Sequence, residues 1–172
     1  MAIRLLGLDP GLRATGWGVI DVDGNHLSAV ANGTVCASAK DGLAIRLQYI
    51  FSHLTEIIDI HRPNECAIEE TFVNKNPTST LKLGHARAAA MLAASNAGLG
   101  VSEYTPNAVK KAVVGAGHAD KHQVETMVAM LLPGHKAASS DAADALAVAI
   151  CHAHHRVSGQ RLARAIAGGA AR

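Results

Sequence analysis

The order of apolar and polar residues divides the chain into alternating strands and helices. Ile3 to Leu8 is a short, nearly unbroken apolar run that stops at Asp9-Pro10-Gly11, the pattern of a central strand ending in a turn. Thr15 to Val22 and His26 to Cys36 flank Asp23-Gly24-Asn25, and Asp-Gly tolerates positive φ, so this stretch predicts a hairpin. Leu43, Leu47, Ile50, Leu54 and Ile57 recur at helical spacing with Pro63 beyond them, which predicts a helix over Gly42 to His61. Cys66 to Glu70 reads as a second short strand that ends in acids. Thr78 to Asn96 is an Ala-rich helix, with Thr78 or Ser79 as its cap and Gly98 as its stop. Val101 to Tyr104 is a further strand. Helices over Pro106 to Val114 and Lys121 to Leu131 follow, separated by Gly115-Ala116-Gly117-His118, and a last helix starts at Ser139 or Ser140 and runs to about His155. Strands joined by a hairpin, then helix, strand, helix, strand and helices, predict an α/β three-layer fold around a mixed sheet. The expected domain is 1–157, and the Gly-, Ala- and Arg-rich stretch 158–172 is expected to be a flexible basic tail.

Composition narrows this picture. At 172 residues, 49% of them hydrophobic, the chain fits one globular domain and has no room for a second. Aromatics are only 3%, so Ala, Val, Leu and Ile must fill the core. A net charge of +2 says little, but its distribution says more. From Thr71 to His122 the basic residues are Lys75, Lys82, Arg87, Lys110, Lys111 and Lys121, against Glu103 and Asp120, and Arg156 to Arg172 holds four arginines and no acid. A polyanion could be met there, although solvated surface lysines explain the same residues. Cys36, Cys66 and Cys151 lie far apart in apolar stretches without metal-ligand spacing, which predicts buried thiols in a reducing compartment. The N-terminus reaches Asp9 and a Pro-Gly turn too early for a signal-peptide core, and no apolar run is long enough for a bilayer, so a cytoplasmic protein without membrane contact is expected.

The carboxylates carry the chemistry. Asp9 ends a strand expected to be buried on both faces and points the same way as Ile3, Leu5 and Gly7. Glu69 has the same position at the end of Ala67-Ile68-Glu69-Glu70. An ionised carboxylate there is costly unless a cation or several donors compensate it. Asp141 and Asp144 are three residues apart, which places them on one helix face among small alanines. The helix dipole accounts for Asp141 equally well, but not for Asp144, since Asp is a poor helix former past the cap. If these four acids converge, their repulsion calls for a divalent cation, and hard oxygen ligands suit magnesium or manganese. Two such ions could activate a water and clamp a phosphodiester.

Several segments together resemble one family. They are Gly7-Leu8-Asp9-Pro10-Gly11 with Thr15-Gly16-Trp17-Gly18, Ala67-Ile68-Glu69-Glu70-Thr71-Phe72, Leu81-Lys82-Leu83-Gly84, Val109-Lys110-Lys111-Ala112-Val113-Val114-Gly115, and Asp141-Ala142-Ala143-Asp144-Ala145-Leu146-Ala147. In this order and spacing the chain is similar, over nearly its whole length, to the RuvC-type Holliday junction resolvases. The resemblance implies a ribonuclease H-like fold with a mixed five-stranded sheet flanked by helices. It also implies a homodimer that makes paired symmetric nicks in a four-way DNA junction, leaving 5′-phosphate and 3′-hydroxyl ends. Asp9, Glu69, Asp141 and Asp144 would be the catalytic, magnesium-binding quartet, with two Mg2+ ions per site and Mn2+ as a substitute. Lys110 and Lys121 would lie near the scissile phosphates, Phe72 would contact bases, and RuvA and RuvB would be partners. Read from the residues alone, Lys110 and Lys111 are both solvent-facing candidates, and Phe72 is either an exposed stacking residue or part of the core.

Other features stay open. Gly84, Ala88, Met91 and Ser95 form a mostly small helix face suited to a subunit interface or to packing within the monomer. His152, His154 and His155 sit at a helix end where the dipole explains them, and no role is assigned to them. Three alternatives compete with the junction-cutting reading. One is an ATPase of the actin-like class, which shares the Asp-Pro-Gly turn but needs a second Gly-rich phosphate loop. Another is a related nuclease that processes structured RNA. A junction-binding module that does not cut is the third, and the intact acid set argues against it.

Overall fold

The computed structural model describes residues 2–71, 76–134 and 136–169, with side chains of the last helix described through Val157. The elements are β1 (Ile3–Asp9), β2 (Ala14–Asp23), β3 (His26–Cys36), α1 (Leu43–His61), β4 (Glu65–Glu69), α2 (Pro77–Asn96), β5 (Gly100–Tyr104), α3 (Pro106–Val114), α4 (Lys121–Leu131) and α5 (Ser140–Gly169). The strands form one sheet in the order β3-β2-β1-β4-β5. β1, β2 and β3 are antiparallel neighbours, whereas β4 runs parallel to both β1 and β5. This is the mixed, five-stranded, helix-flanked sheet expected from the sequence.

Alternation along the strands gives each sheet face its own core. Leu5, Ile20 and Ala67 pack under α3, α4 and α5 with Val109, Val124, Leu146 and Ile150. Leu6, Leu8, Val19 and Ile68 pack against α1 and α2 with Ile50, Leu54, Ala90 and Ala93. In place of aromatic bulk, the molecule uses close approach. A Cβ on Gly7 would collide with the Ala145 carbonyl, one on Gly16 with the Asp141 carbonyl, and one on Gly18 with the Leu146 side chain. The first half of α5 therefore lies directly on the backbone of β1 and β2.

Three local expectations are corrected. Asn76, not Thr78 or Ser79, caps α2: its carboxamide oxygen accepts from the backbone N–H of Thr78 at 3.0 Å and of Ser79 at 3.3 Å. Pro77 explains the shift, since a proline without an N–H belongs in the first turn and moves the cap to the residue before it. Helix α5 continues to Gly169 instead of ending near His155, because Ala, Leu and Arg are strong helix formers and the single Gly159 does not break it. Cys66 and Cys151 are buried, but Cys36 is exposed at the end of the edge strand β3. No helix among the described residues is long and apolar enough to cross a membrane.

Candidate active site

Strand register brings the first two acids together. β1 and β4 run parallel with Gly7 beside Ala67 and Leu8 beside Ile68, so Asp9 and Glu69 end adjacent strands. By the same alternation they share the face on which Leu5 and Ala67 pack, which is the face covered by α5. The start of α5 lies over Gly16, which pairs with Asp9 across β1 and β2. Asp141 and Asp144 therefore approach Asp9 and Glu69 from above. All four residues are half-buried.

Their electrostatics show mutual repulsion. The carboxyl of Asp9 is pushed up to about 8, first by burial and then by the charges of Glu69, Asp144 and Asp141, with Lys121 opposing. Glu69 is pushed up to about 7 by burial and by Asp144, with Lys110 opposing. Asp144 is also raised by burial, although the Lys121 ammonium donates a hydrogen bond to its Oδ2 at 3.0 Å and pulls the other way. Among the described residues, no three His, Cys, Asp or Glu side chains stand close enough to enclose an ion as they are placed. The four side chains offer only carboxylate oxygens, the donor type that hard divalent cations take.

The lysines fall on the same cleft. Glu69, Pro106, Val109, Lys110, Lys121, Val124, Asp144 and Ala147 line a depression of about 210 Å³. Helix α3 is capped by the Thr105 hydroxyl and α4 by a reciprocal Asp120–Gln123 box; Lys121 projects from the capped first turn of α4 and Lys110 from the middle of α3. Lys111, one position along α3, is exposed, which separates it from Lys110. Phe72 lies outside the described residues.

Ser139, one of the two expected starts of the last helix, caps α5, but the sequence carries no sign of the β3 side chains that hold it. The Ser139 hydroxyl accepts from the N–H of Ala142 at 3.0 Å and stands 2.5 Å from the Thr34 hydroxyl. Asn32 accepts from the N–H of Ala138 at 2.7 Å and donates to the Lys136 carbonyl at 3.4 Å. The contacts of Asn32 and Thr34 span more than a hundred residues, so no local pattern reveals them. The histidines serve packing. His152 is 6% exposed, with Nε2 2.9 Å from Glu65 and Nδ1 2.8 Å from the Tyr104 hydroxyl, while His155 stacks on Tyr104. Arg156 donates to the other oxygen of Glu65 at 2.9 Å.

Known proteins resemble the chain in both sequence and fold. Residues 5–152 match the family model described as crossover junction endodeoxyribonuclease RuvC. A protein of that name from Rhodospirillum rubrum is 56% identical over 167 residues, covering 97% of this chain and 99% of that protein. Another from Allorhizobium ampelinum is 53% identical, covering 97% and 98%. Among solved structures, Thermus thermophilus RuvC in complex with Holliday junction substrate superposes with a TM-score of 0.85 at 34% identity, covering 91% of this chain and 96% of that one. The yeast mitochondrial Holliday junction resolvase Ydc2 shares the fold, with a TM-score of 0.63 at 11% identity over 92% of this chain and 83% of that one.

Proposed function

Because the chain belongs to the RuvC family of crossover junction endodeoxyribonucleases, we propose that it resolves Holliday junctions as a metal-dependent endonuclease of ribonuclease H-like fold, with Asp9, Glu69, Asp141 and Asp144 as its catalytic metal ligands. The observation that carries this reading is the pairing of Asp9 and Glu69 at the ends of parallel strands, facing the acids of α5. A divalent cation offsets the repulsion that pushes both carboxyls up, and the donor set favours Mg2+, two ions per site, with Mn2+ as a substitute. Such ions supply an acidified water and charge neutralisation at a phosphodiester. The four carboxylates fix where that chemistry occurs. Lys110 and Lys121, on the opposite wall of the cleft, receive phosphate oxygens of the cut strand. Phe72 is assigned to base contact on the resemblance. The ends produced are 5′-phosphate and 3′-hydroxyl.

One protomer holds one such cleft, whereas paired symmetric nicks need two, which supports a homodimer with two-fold symmetry. The exposed side of α2 supports the same reading: Leu81 and Leu92 are 66% and 57% exposed on the side of the helix that carries Gly84 and Ala88. RuvA and RuvB are the proposed partners, and a chromosomal DNA substrate places the work in the cytoplasm. An actin-like ATPase and a nuclease for structured RNA are not supported, since relatives more than half identical over nearly the whole chain carry the endodeoxyribonuclease name.

The test uses a synthetic mobile four-way junction. Nicks on two opposed strands, ligatable and seen only with Mg2+ or Mn2+, are expected. Equal cutting in a chelator, or preference for structured RNA, overturns the reading.

A further inference from the structure

We propose that Asn32 is a positioning residue that sets the distance between the α5 acids and Asp9, acting through the chain just ahead of α5. The proposal rests on the carboxylate quartet described above. Asn32 and Thr34 lie on the edge strand β3, paired with Gly18 and Gly16 of β2. Those glycines present no side chain to α5, whose Asp141 carbonyl and Leu146 side chain lie directly on them. The glycines let α5 approach, but they cannot fix where along the sheet its first turn rests. The neighbouring strand supplies that grip.

Asn32 uses its carboxamide as a surrogate strand partner. Its oxygen accepts from Ala138 N–H at 2.7 Å, and its nitrogen donates to the Lys136 carbonyl at 3.4 Å. Thr34 meets Ser139 hydroxyl to hydroxyl, and Ser139 in turn caps the helix through the Ala142 N–H. Asp141 is two residues from Ser139 and three from Ala138, so a shift at Ala138 reaches it with little chain to absorb it. Repulsion among the acids pushes α5 away from β1 and β4. The Asn32 contacts oppose that push at the helix end nearest the acids.

The measurement is Mn2+ binding to the full-length protein without DNA, by calorimetry and by the Mn2+ paramagnetic signal, alongside thermal unfolding. Asn32→Ala is expected to weaken Mn2+ binding about tenfold and Thr34→Val about threefold. Asn32→Asp keeps the acceptor oxygen and is expected within about threefold of the wild type. Leu54→Ala, in the core on the opposite face, controls for general loosening: it is expected to lower the melting temperature as much or more without changing Mn2+ affinity. Unchanged Mn2+ affinity in Asn32→Ala overturns the proposal, as does an equal loss in Leu54→Ala. If Asp9→Asn also leaves Mn2+ binding intact, the acidic pocket itself is wrong and the proposed function falls too. If Asp9→Asn abolishes binding and Asn32→Ala does not change it, only the role of Asn32 falls.

Discussion

Strand β4 carries two glutamates on one face, four residues apart, and helix α5 passes over both. At the lower end, Glu65 is surrounded by compensation: Arg156 and His152 each take one of its oxygens, and Tyr104 takes the other nitrogen of His152. These partners hold its carboxyl below its ordinary value despite burial. At the upper end, Glu69 faces Asp9 and Asp144, and its carboxyl is pushed up to about 7. The same two elements thus bear one cluster whose charges are satisfied and one whose charges are not. A satisfied cluster fastens α5 to the sheet, whereas an unsatisfied one stores a demand that a ligand can meet.

The sharpest way to break this comparison is to remove an upper carboxylate. Asp9→Asn or Glu69→Gln is expected to reduce junction cutting by about three orders of magnitude or more while leaving junction binding largely intact. The same variants should melt several degrees higher than the wild type in chelator, at about 2–4 °C per kcal/mol of repulsion relieved, because function and stability conflict at this site. A metal-free variant that melts lower contradicts the claim that the upper end is strained by charge.

The two ends should also respond to pH with opposite sign. A raised carboxyl favours the folded state when protonated, so the contribution of Asp9 and Glu69 is fully present below about pH 4 and is lost as pH rises through about 7 and 8. Glu65 is lowered, so its contribution is present above the ordinary carboxylate range and is lost in acid. His152 is lowered by burial despite Glu65, so it too costs stability as pH falls below the ordinary imidazole range of about 6.5, where the unfolded chain takes up the proton more readily. In unfolding titrations without metal, Asp9→Asn should flatten the alkaline side and Glu65→Gln the acid side. Added Mg2+ should mimic the former.

Smaller effects refine the contrast. His152→Leu leaves Tyr104 and Glu65 without their shared partner and should cost roughly 1–3 kcal/mol in chemical denaturation, with cutting by the folded fraction changed far less than by Asp9→Asn. Lys121 is the one described donor that crosses from the lysine wall to an upper acid, through its exposed ion pair with Asp144. Lys121→Met should raise Mn2+ affinity roughly two- to fivefold in the absence of DNA, the range set by exposed pairs, and lower the salt dependence of junction binding by about one phosphate contact.

Much of this was legible in the residue order. The apolar run ending at Asp9, the Asp23-Gly24 hairpin and the helix ends at Val114 and Leu131 are local signals, since strand and helix periodicity and turn residues act over a few positions. Asp9 and Glu69 were legible for a different reason: each is a carboxylate where a core strand ends, and two such charges call for a compensating cation or donors. Asn32 and Thr34 were not legible, because a polar residue on an edge strand looks solvated until the segment 104 residues away closes over it. The satisfied cluster was hidden in the same way: the histidines read as dipole chemistry at a helix end, but α5 runs on to Gly169 and His152 lies mid-helix between Glu65 and Tyr104.

The bare backbone at Gly7 and Gly16 limits how the acidic pocket can change over time. Its depth is set by missing methyl groups, so a single alanine at either position would lift α5 like a shim under a hinge plate. In a protein so altered that still folds, the acids of α5 would stand farther still from Asp9 and Glu69. Nuclease activity should therefore fail before the fold does, and the glycines should tolerate less variation than their modest place in the sheet suggests.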